Sequence, residues 1–375
     1  MTDTNLNSAF SDEQNELRRT VRSFLEAKAS EPQVRRHMEL PLGYDPALWA
    51  QLSDELGLTG LAIPEEFGGH GFTFVELGIV VEEMGRALLP SPYFASIVLG
   101  ANLLIHCGDD AARQRYLPGI ASGTTVATLA VTEESGRWTP DAIQVRARRE
   151  GDEWLLDGAK TYVVDGCAAD VLFVAARTET DLSLFAVDRF ERVARRPLST
   201  LDPTRRQARI EFSATPATLV GTDGNAWPVL MRTLALGSAA LATEQVGGAQ
   251  RCLEMAVDYA KVRKQFGKPV GSFQAIRHKC ADVFVDVECA RGVAHYAVRA
   301  AAQLSADLPA VASLAKACSS DAYARAAAAN IQIHGGIGFT WEHPAHLYYK
   351  RAKSSGHLLG DANFHRSLLA DEVGI

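Results

Sequence analysis

The sequence predicts an α+β protein built from three parts in the order helices, antiparallel sheet, helices. Apolar residues recur at helical spacing up to residue 122, and short β-branched or alternating runs separated by turns replace that spacing over residues 123–227. Helical spacing returns after Trp227 in long segments rich in alanine and leucine. We therefore predict an N-terminal α-helical domain over residues 1–122, a central β-sheet domain over 123–227 and a C-terminal four-helix bundle domain over 228–375.

The first part shows the apolar periodicity of amphipathic helices. The predicted helices cover residues 13–29, 46–56, 73–89 and 95–107. Asp45 is a predicted N-cap, because its side-chain oxygen can accept from a first-turn amide and Pro46 suits the first helical position. Glycines and prolines in residues 64–71 and 89–92 interrupt helices and sheet ladders alike, so these segments are predicted loops.

The other two parts follow the same reasoning with different periods. The predicted strands cover residues 124–132, 144–149, 153–156, 161–164, 171–176, 182–187 and 207–212. The predicted C-terminal helices cover residues 230–266, 273–304, 308–334 and 346–353. Their many alanines predict a bundle in which the helices meet over small side chains.

Composition excludes some classes of partner and location. The chain has 375 residues, with 45 Asp and Glu against 38 Lys and Arg, so its formal net charge is -7. This acidic balance argues against nucleic acid or an anionic membrane surface as the main partner. The six cysteines form no CxxC pair and no disulfide framework, which predicts reduced thiols and a cytoplasmic location. We expect no membrane span, since no run of about 18 apolar residues occurs.

Several motifs recur along the chain in a fixed order. They are residues 60–66, 68–71, 82–86, 130–133, 263–270, 331–342 and 358–362. In this order and spacing the chain resembles the acyl-CoA dehydrogenase family over nearly its whole length. It is similar in particular to actinobacterial subunits that handle steroid or other bulky acyl-CoA thioesters and lack the C-terminal catalytic glutamate.

The resemblance implies a function, a cofactor and partners. Members of this family are FAD-dependent oxidoreductases of lipid or steroid catabolism: a carboxylate removes the α-proton of an acyl-CoA thioester while the β-hydrogen leaves as hydride to flavin N5. They pass electrons to an electron-transfer flavoprotein. The assembly implied is a homotetramer or an α2β2 heterotetramer with a paralogous subunit.

One half of the implied FAD site comes from a neighbouring subunit in the family. The matching residues are Arg263, Gln265, Phe266, Phe273, Gln274, Gln332, His334, Gly335 and Gly336. An arginine fork suits a diphosphate, and glycines let backbone amides approach a dinucleotide. Taken alone, Arg263 could instead be a solvated cation at a helix end, and the two glycines could form a helix C-cap.

The other half of the FAD site matches the family less fully. Val131 and Thr132 match positions beside the flavin ring, and Tyr162 falls where an aromatic residue covers it. Val164 departs from the family, which places a threonine there to hydrogen-bond the flavin near N5. A valine has no donor to offer, so we expect this chain's own flavin site to be altered.

The catalytic base of the family is absent from its two known positions. Gly360 stands at the first and Gly237 at the second, although the Gly360 N–H could still donate to the thioester carbonyl. Glu244 is the only ionisable residue between Thr233 and Gln250, and it shares a helix face with Gly237. Apolar surroundings would raise its pKa, so Glu244 is the predicted base.

Alternatives to these assignments stay open. Glu244 could face solvent or pair with a distant cation, as a lone glutamate on a helix often does. Asp361 is an alternative base, although an aspartate in a turn commonly accepts local backbone hydrogen bonds. Two imidazoles and a carboxylate lie at residues 342–346, but Pro344 breaks the helix that would align them, so we predict no metal site.

Three functions therefore remain. The chain could be an acyl-CoA dehydrogenase in its own right. It could be a partner subunit without catalysis that supplies the cross-subunit half of another chain's FAD site. A flavin oxidase or monooxygenase on the same frame is the third.

Overall fold

The computed structural model describes residues 10–375, and it confirms the α+β fold class, with helices, a sheet and helices following one another along the chain. The first nine residues of the predicted N-terminal domain lie outside the described residues. None of the described helices is long and apolar enough to cross a membrane.

The first part is helical. It contains α1 (Asp12–Lys28), α2 (Glu31–His37), α3 (Pro46–Asp54), α4 (Phe74–Ala87), a π-helix (Phe94–Ala101) that runs directly into α5 (Asn102–His106), and α6 (Asp110–Ala121). Asp45 caps α3 as predicted, accepting from the Ala47 N–H at 2.9 Å. Neither α2 nor α6 was predicted, because α2 is short and α6 contains Pro118, which reads as a breaker.

The second part is a seven-stranded sheet. Its strands are β1 (Ala127–Ala130), β2 (Arg146–Glu150), β3 (Glu153–Val164), β4 (Val171–Arg177), β5 (Leu182–Val187), β6 (Val193–Pro197) and β7 (Gln207–Val220). The spatial order is β1-β4-β2-β3-β7-β5, with β6 beside β7 and β4 also beside β5. The two predicted strands at 153–156 and 161–164 are one strand, β3, with register shifts after Leu156 and Lys160.

The prediction of a purely antiparallel sheet is wrong at β1. This strand pairs with β4 in parallel, with Ala127 opposite Val171, and β2 also meets β4 in parallel at one pair. Parallel neighbours need a long crossover connection, and residues 131–170, which include β2 and β3, provide it. The crossover brings the end of β1 beside β3, at the edge of a cleft described below.

The third part is a helical bundle. Its elements are α7 (Ala226–Val262), a hairpin of β8 (Lys264–Gln265) and β9 (Lys268–Pro269), α8 (Gln274–Ala302), α9 (Leu308–His334), α10 (Ala345–His357) and α11 (Ala362–Glu372). The predicted helix over 230–266 is thus wrong at its end, where the chain leaves α7 as a hairpin. The bounds of α9 are those predicted.

Helix α7 joins the bundle to the first part. A Cβ on Gly247 would lie 1.9 Å from the Glu82 carbonyl oxygen, and one on Gly85 would lie 2.1 Å from the Glu244 carbonyl oxygen. The two backbones can therefore touch only because both positions are glycine. The main hydrophobic core is continuous through all three parts, with Leu25, Phe173 and Leu241 among its members.

Candidate functional site

A cleft of about 540 Å³ lies between the sheet and the C-terminal end of α10. Thr132 and Tyr162 line it from the sheet side, and Ser354, His357 and Leu358 line it from the α10 side. Thr132 is buried, and its hydroxyl donates to the Thr161 carbonyl at 2.7 Å. Tyr162 is 43% exposed with a φ of 62°. We call this space the ring cleft.

The remaining two sheet residues of the predicted flavin site lie behind the ring cleft. Val131 is buried, and its carbonyl accepts from the Lys160 ammonium at 2.9 Å. Val164 is buried as well, and its carbonyl accepts from the Thr128 hydroxyl at 2.6 Å. Neither side chain lines the ring cleft, so any contribution of Val131 or Val164 to flavin binding would be indirect.

Lys160 fixes the sheet wall of the ring cleft. Its buried ammonium also bonds Glu133 Oε1 at 2.8 Å, and the same oxygen accepts the N–H groups of Gln144 and Val145 at 2.8 and 2.9 Å. Burial lowers the pKa of Lys160 to about 8. Sequence reasoning missed this residue, although a lysine inside a strand that must be half buried is a signal for a paired core cation.

A second, largely apolar cleft of about 600 Å³ adjoins the first. The N-terminal half of α7, the start of α9 and α11 form its walls, and its lining includes Trp138, Trp227, Met231, Leu308, Leu359 and Phe364. Trp138 lines both clefts, and the consecutive residues Leu358 and Leu359 line one cleft each. Sequence reasoning did not find this apolar cleft, since its lining comes from distant segments.

Gly360 has the backbone conformation that only glycine adopts easily, with a φ of 102°. A Cβ here would lie 2.3 Å from Cδ1 of Phe364, so the phenyl ring fills the space into which a side chain would project. The Gly360 N–H donates to the His357 carbonyl at 3.2 Å. That amide is engaged within the turn, and its donation to a thioester stays a prediction.

Asp361 caps α11. Its Oδ1 accepts the Phe364 N–H at 2.8 Å, and its backbone is extended, as an N-cap requires. This is the local backbone bond that the alternative interpretation of Asp361 describes. The carboxylate thus stabilises the helix that carries Phe364.

Glu244 is buried in an ion-pair network rather than in apolar surroundings. Oε2 pairs with Arg205 and Oε1 with Arg351 Nη1 at 3.0 Å, and Arg351 Nε also meets Asp202 Oδ2 at 2.9 Å. Burial alone would raise the pKa of Glu244, but the two guanidiniums hold it below its ordinary value. Our expectation of a raised pKa for Glu244 is wrong. It considered only the residues of α7, and both arginines come from other segments. The assignment of Glu244 as the base stays a prediction.

The second family position for the base is also packed. A Cβ on Gly237 would lie 2.9 Å from Leu99 Cδ2 and 3.1 Å from Leu359 Cδ1. Leucine side chains therefore occupy the space beside this face of α7. A carboxylate at residue 237 would displace both.

The predicted cross-subunit residues lie together at the far end of the bundle. Arg263, Gln265 and Phe266 leave the end of α7, Phe273 and Gln274 begin α8, and Gln332, Gly335 and Gly336 end α9. We call this the α7–α9 end surface. Lys279 of α8 links α8 to the end of α9 by donating to Gln332 Oε1 at 2.6 Å.

The α7–α9 end surface is open. Phe266 is 90% exposed, and no atom lies within 4 Å of a Cβ placed on Gly335 or Gly336. His334 differs from the other predicted residues, because it is buried with its ring 4.3 Å from that of Tyr259, and its Nδ1 is 2.9 Å from the Asn330 carbonyl oxygen. The His334 side chain therefore packs beneath the α7–α9 end surface.

The apolar cleft and the α7–α9 end surface are far apart within one chain. The apolar cleft reaches Ser238 on α7, whereas Arg263 follows the last residue of that helix. At 1.5 Å per residue these positions are about 37 Å apart along the helix. The open glycines and the exposed arginine of the α7–α9 end surface fit the diphosphate end of a dinucleotide.

Comparisons with known proteins point to the same family as the sequence motifs do. The profile of the acyl-CoA dehydrogenase N-terminal domain matches residues 11–124, and that of the C-terminal domain matches 224–374. The chain is 37% identical to acyl-CoA dehydrogenase IpdE2 of Mycobacterium tuberculosis over 93% of both chains, and 36% identical to IpdE2 of Mycolicibacterium smegmatis over 93% of this chain and 95% of that one. The ChsE4–ChsE5 complex of M. tuberculosis superposes with a TM-score of 0.89 at 28% identity, covering 97% of this chain and 98% of that one.

Proposed function

Because the chain belongs to the acyl-CoA dehydrogenase family of FAD-dependent oxidoreductases, we propose that it is one subunit of a mixed assembly that dehydrogenates a bulky acyl-CoA thioester. In this proposal it lends its α7–α9 end surface to the FAD of a different, catalytic subunit. The observation that carries the proposal is that this surface is open at Phe266, Gly335 and Gly336, while the carboxylate that would serve as base, Glu244, is bound by two arginines.

FAD, when bound, accepts the β-hydride of the thioester. Toward the neighbour's FAD, the Arg263 fork would bind the diphosphate and the bare backbone at Gly335 and Gly336 would let the dinucleotide approach. On this chain's own side, Thr132 and Tyr162 bound a cleft of suitable kind, but Val164 has no donor for the ring. The retained cross-subunit half and the altered ring half together favour a partner role.

The distribution of charge supports the same division of labour. A base must be free to take a proton, and a carboxylate whose pKa is held below its ordinary value by two buried guanidiniums is a weak base. The other family positions carry no acid: Phe364 fills the space at Gly360, and leucines fill the space at Gly237. We propose that the α-proton is removed by a carboxylate of the partner chain.

Flavin stoichiometry tests this proposal. The chain is purified alone and after co-expression with a paralogous acyl-CoA dehydrogenase subunit, and the flavin-to-chain ratio is read from the visible spectrum. We expect no flavin on the chain alone and one flavin per two chains in the mixed assembly. One flavin per chain in the protein purified alone would overturn the partner role.

A second function has an observation of its own. The ring cleft and the apolar cleft adjoin one another within this chain and share Trp138, which is the arrangement that flavin and thioester would need for catalysis here. In that case Glu244 would be the base after its network opens. Turnover by the purified chain with an artificial electron acceptor, lost in Glu244→Gln but kept in Asp361→Asn, would support this alternative.

A further inference from the structure

Lys316 of α9 is a cation enclosed in the bundle. Its side chain is 0% exposed, and its Nζ lies 3.0 Å from Ser320 Oγ, 3.1 Å from the Gly360 carbonyl oxygen and 3.3 Å from the Gly356 carbonyl oxygen. Within residues 10–375 it makes no ion pair with a carboxylate. A buried ammonium is costly, so its retention in a cage of neutral oxygens calls for an explanation.

The Gly356 carbonyl belongs to the last turn of α10, and the Gly360 carbonyl belongs to the connection between α10 and α11. Between them, Leu359 gives its carbonyl to His365 Nε2 at 3.0 Å. This connection is the wall between the two clefts, since Leu358 lines the ring cleft and Leu359 lines the apolar cleft. Lys316 therefore binds this wall from the bundle side, and His365, which itself lines the apolar cleft, binds it at Leu359.

We propose that Lys316 is a positioning residue for this wall, and that the charged ammonium, through Gly356 and Gly360, sets the shape of both clefts. An ammonium has three N–H groups, and here each finds an acceptor. A neutral amine has two N–H groups for the same three acceptors, and its lone pair finds no donor here because the Ser320 hydroxyl donates to Gln245 Oε1 at 3.3 Å. Loss of the proton would therefore leave one acceptor without a donor and loosen Leu358 and Leu359.

The surrounding charges place this change near neutral pH. Burial lowers the pKa of Lys316 to about 7. The more distant carboxylates of Asp361 and Asp321 raise this pKa and so oppose the effect of burial only in part. Asp321 is itself paired with Arg366. From α11, His365 faces the lysine, and its pKa is lowered to about 4 by burial and by Lys316, so it stays neutral. From α7 the contact is uncharged, because Gln245 reaches Ser320 Oγ at 3.0 Å.

Hydrogen exchange of the purified chain tests the positioning role. The Leu358 and Gly360 amides bond within the turn at 3.1 and 3.2 Å, so the peptide that contains residues 356–361 reports its opening. After correction for intrinsic rates, we expect exchange to be about threefold or more faster at pH 8 than at pH 6. Lys316→Met should exchange fast at both pH values, and Lys316→Arg, which keeps the charge, should lose the pH dependence.

Ser320→Ala provides a milder variant if Lys316→Met does not fold, because it removes one acceptor and keeps the ammonium. It should raise exchange of the same peptide and reduce the pH dependence, because the two N–H groups of the neutral amine then suffice for the two remaining carbonyls. Exchange of the wild-type turn that does not change between pH 6 and 8, or equal protection in Lys316→Met, would overturn the proposal.

The consequence for ligands rests on the proposed function and separates its two forms. If this chain's own clefts hold flavin and thioester, FAD retention by the purified chain should weaken from pH 6 to pH 8, and Lys316→Met should show the weaker retention at both pH values. In the mixed assembly, where FAD contacts the α7–α9 end surface instead, its retention should not depend on Lys316. Exchange that follows pH while FAD retention does not would keep the positioning role and remove its link to the flavin. The two parts can therefore fail separately.

Discussion

At the scale of single residues, the network around Glu244 shows how neighbours decide what a carboxylate does. Arg205 precedes β7, Glu244 lies in α7 and Arg351 in α10, so one set of ion pairs joins three segments that are distant in the sequence. Removing one member of a buried pair leaves an uncompensated charge, which costs more than the pair itself contributes. Glu244 thus has a structural role in this chain whatever its chemistry.

Glu244→Gln should lower the free energy of unfolding by about 3 kcal/mol, because two buried guanidiniums lose a full negative charge. Urea denaturation at pH 7 measures it. Glu254→Gln is the matched control on the same helix, since Glu254 pairs with Arg86 at 2.7 Å but is partly exposed, and it should cost about 1 kcal/mol or less. Equal, small effects of both variants would contradict the structural role of Glu244.

Gly360 and Phe364 should behave as a coupled pair. Gly360→Ala should destabilise the chain by about 2 to 4 kcal/mol, because it adds strain at positive φ to a clash with the phenyl ring. In a Phe364→Ala background the same change should cost about 1 kcal/mol less, as measured by a double-mutant cycle in guanidinium chloride. Strict additivity would show that the ring does not occupy the space at residue 360.

Asp165 gives the chain a predicted pH dependence of its own. Burial raises the pKa of Asp165 to about 7, against the pull of Arg205 and Arg351. The folded state therefore binds more protons than the unfolded state between about pH 4 and pH 7, and this residue's contribution to stability falls as pH rises through that window.

Asp165→Asn should remove that fall. Asparagine mimics the neutral acid and tolerates the φ of 52°, so the variant should be more stable than the wild type at pH 8 by on the order of 3 kcal/mol. The two proteins should converge near pH 4. Thermal denaturation at both pH values tests this, and a difference independent of pH would refute the ionisation argument.

At the scale of elements, the ends of helices carry more of the candidate function than their middles. The sequence motif 263–270 reads as the end of a long helix, and its role in binding FAD stays a prediction of the resemblance. Its hairpin and the 90% exposure of Phe266 follow from the fold. The partners of Glu244 could not be predicted, since helical periodicity describes one face of α7 and not the arginines packed against it. Lys316 was missed for the same reason.

The α7–α9 end surface can be tested with a minimal change. Gly336 is helical with open space around it, so Gly336→Ala should alter the stability of the isolated chain by no more than about 0.5 kcal/mol. In the mixed assembly we expect a lower flavin-to-chain ratio, because the added methyl group would meet the dinucleotide. Gly292→Ala in α8, also helical and open, is the control and should keep the flavin. Unchanged flavin in both variants would contradict the cross-subunit contact.

At the scale of the whole molecule, the order of the three parts was predictable because the apolar period itself changes along the chain, most clearly at the start of α7. The parallel pairing of β1 with β4 was not, since local sequence carries no record of which strands become neighbours. The clefts escaped prediction likewise: Trp138 and Phe364 meet in the apolar cleft only through long-range packing.

The exposed Phe266 also bears on how cells would manage this protein. With Phe339, which is 81% exposed, it presents large aromatic side chains to water in a single chain, and such surfaces promote aggregation when nothing covers them. If the proposed mixed assembly covers these side chains, a copy made without its partner would be a substrate for chaperones and proteases. Balanced synthesis of the two chains, rather than a more polar surface, would keep such copies rare.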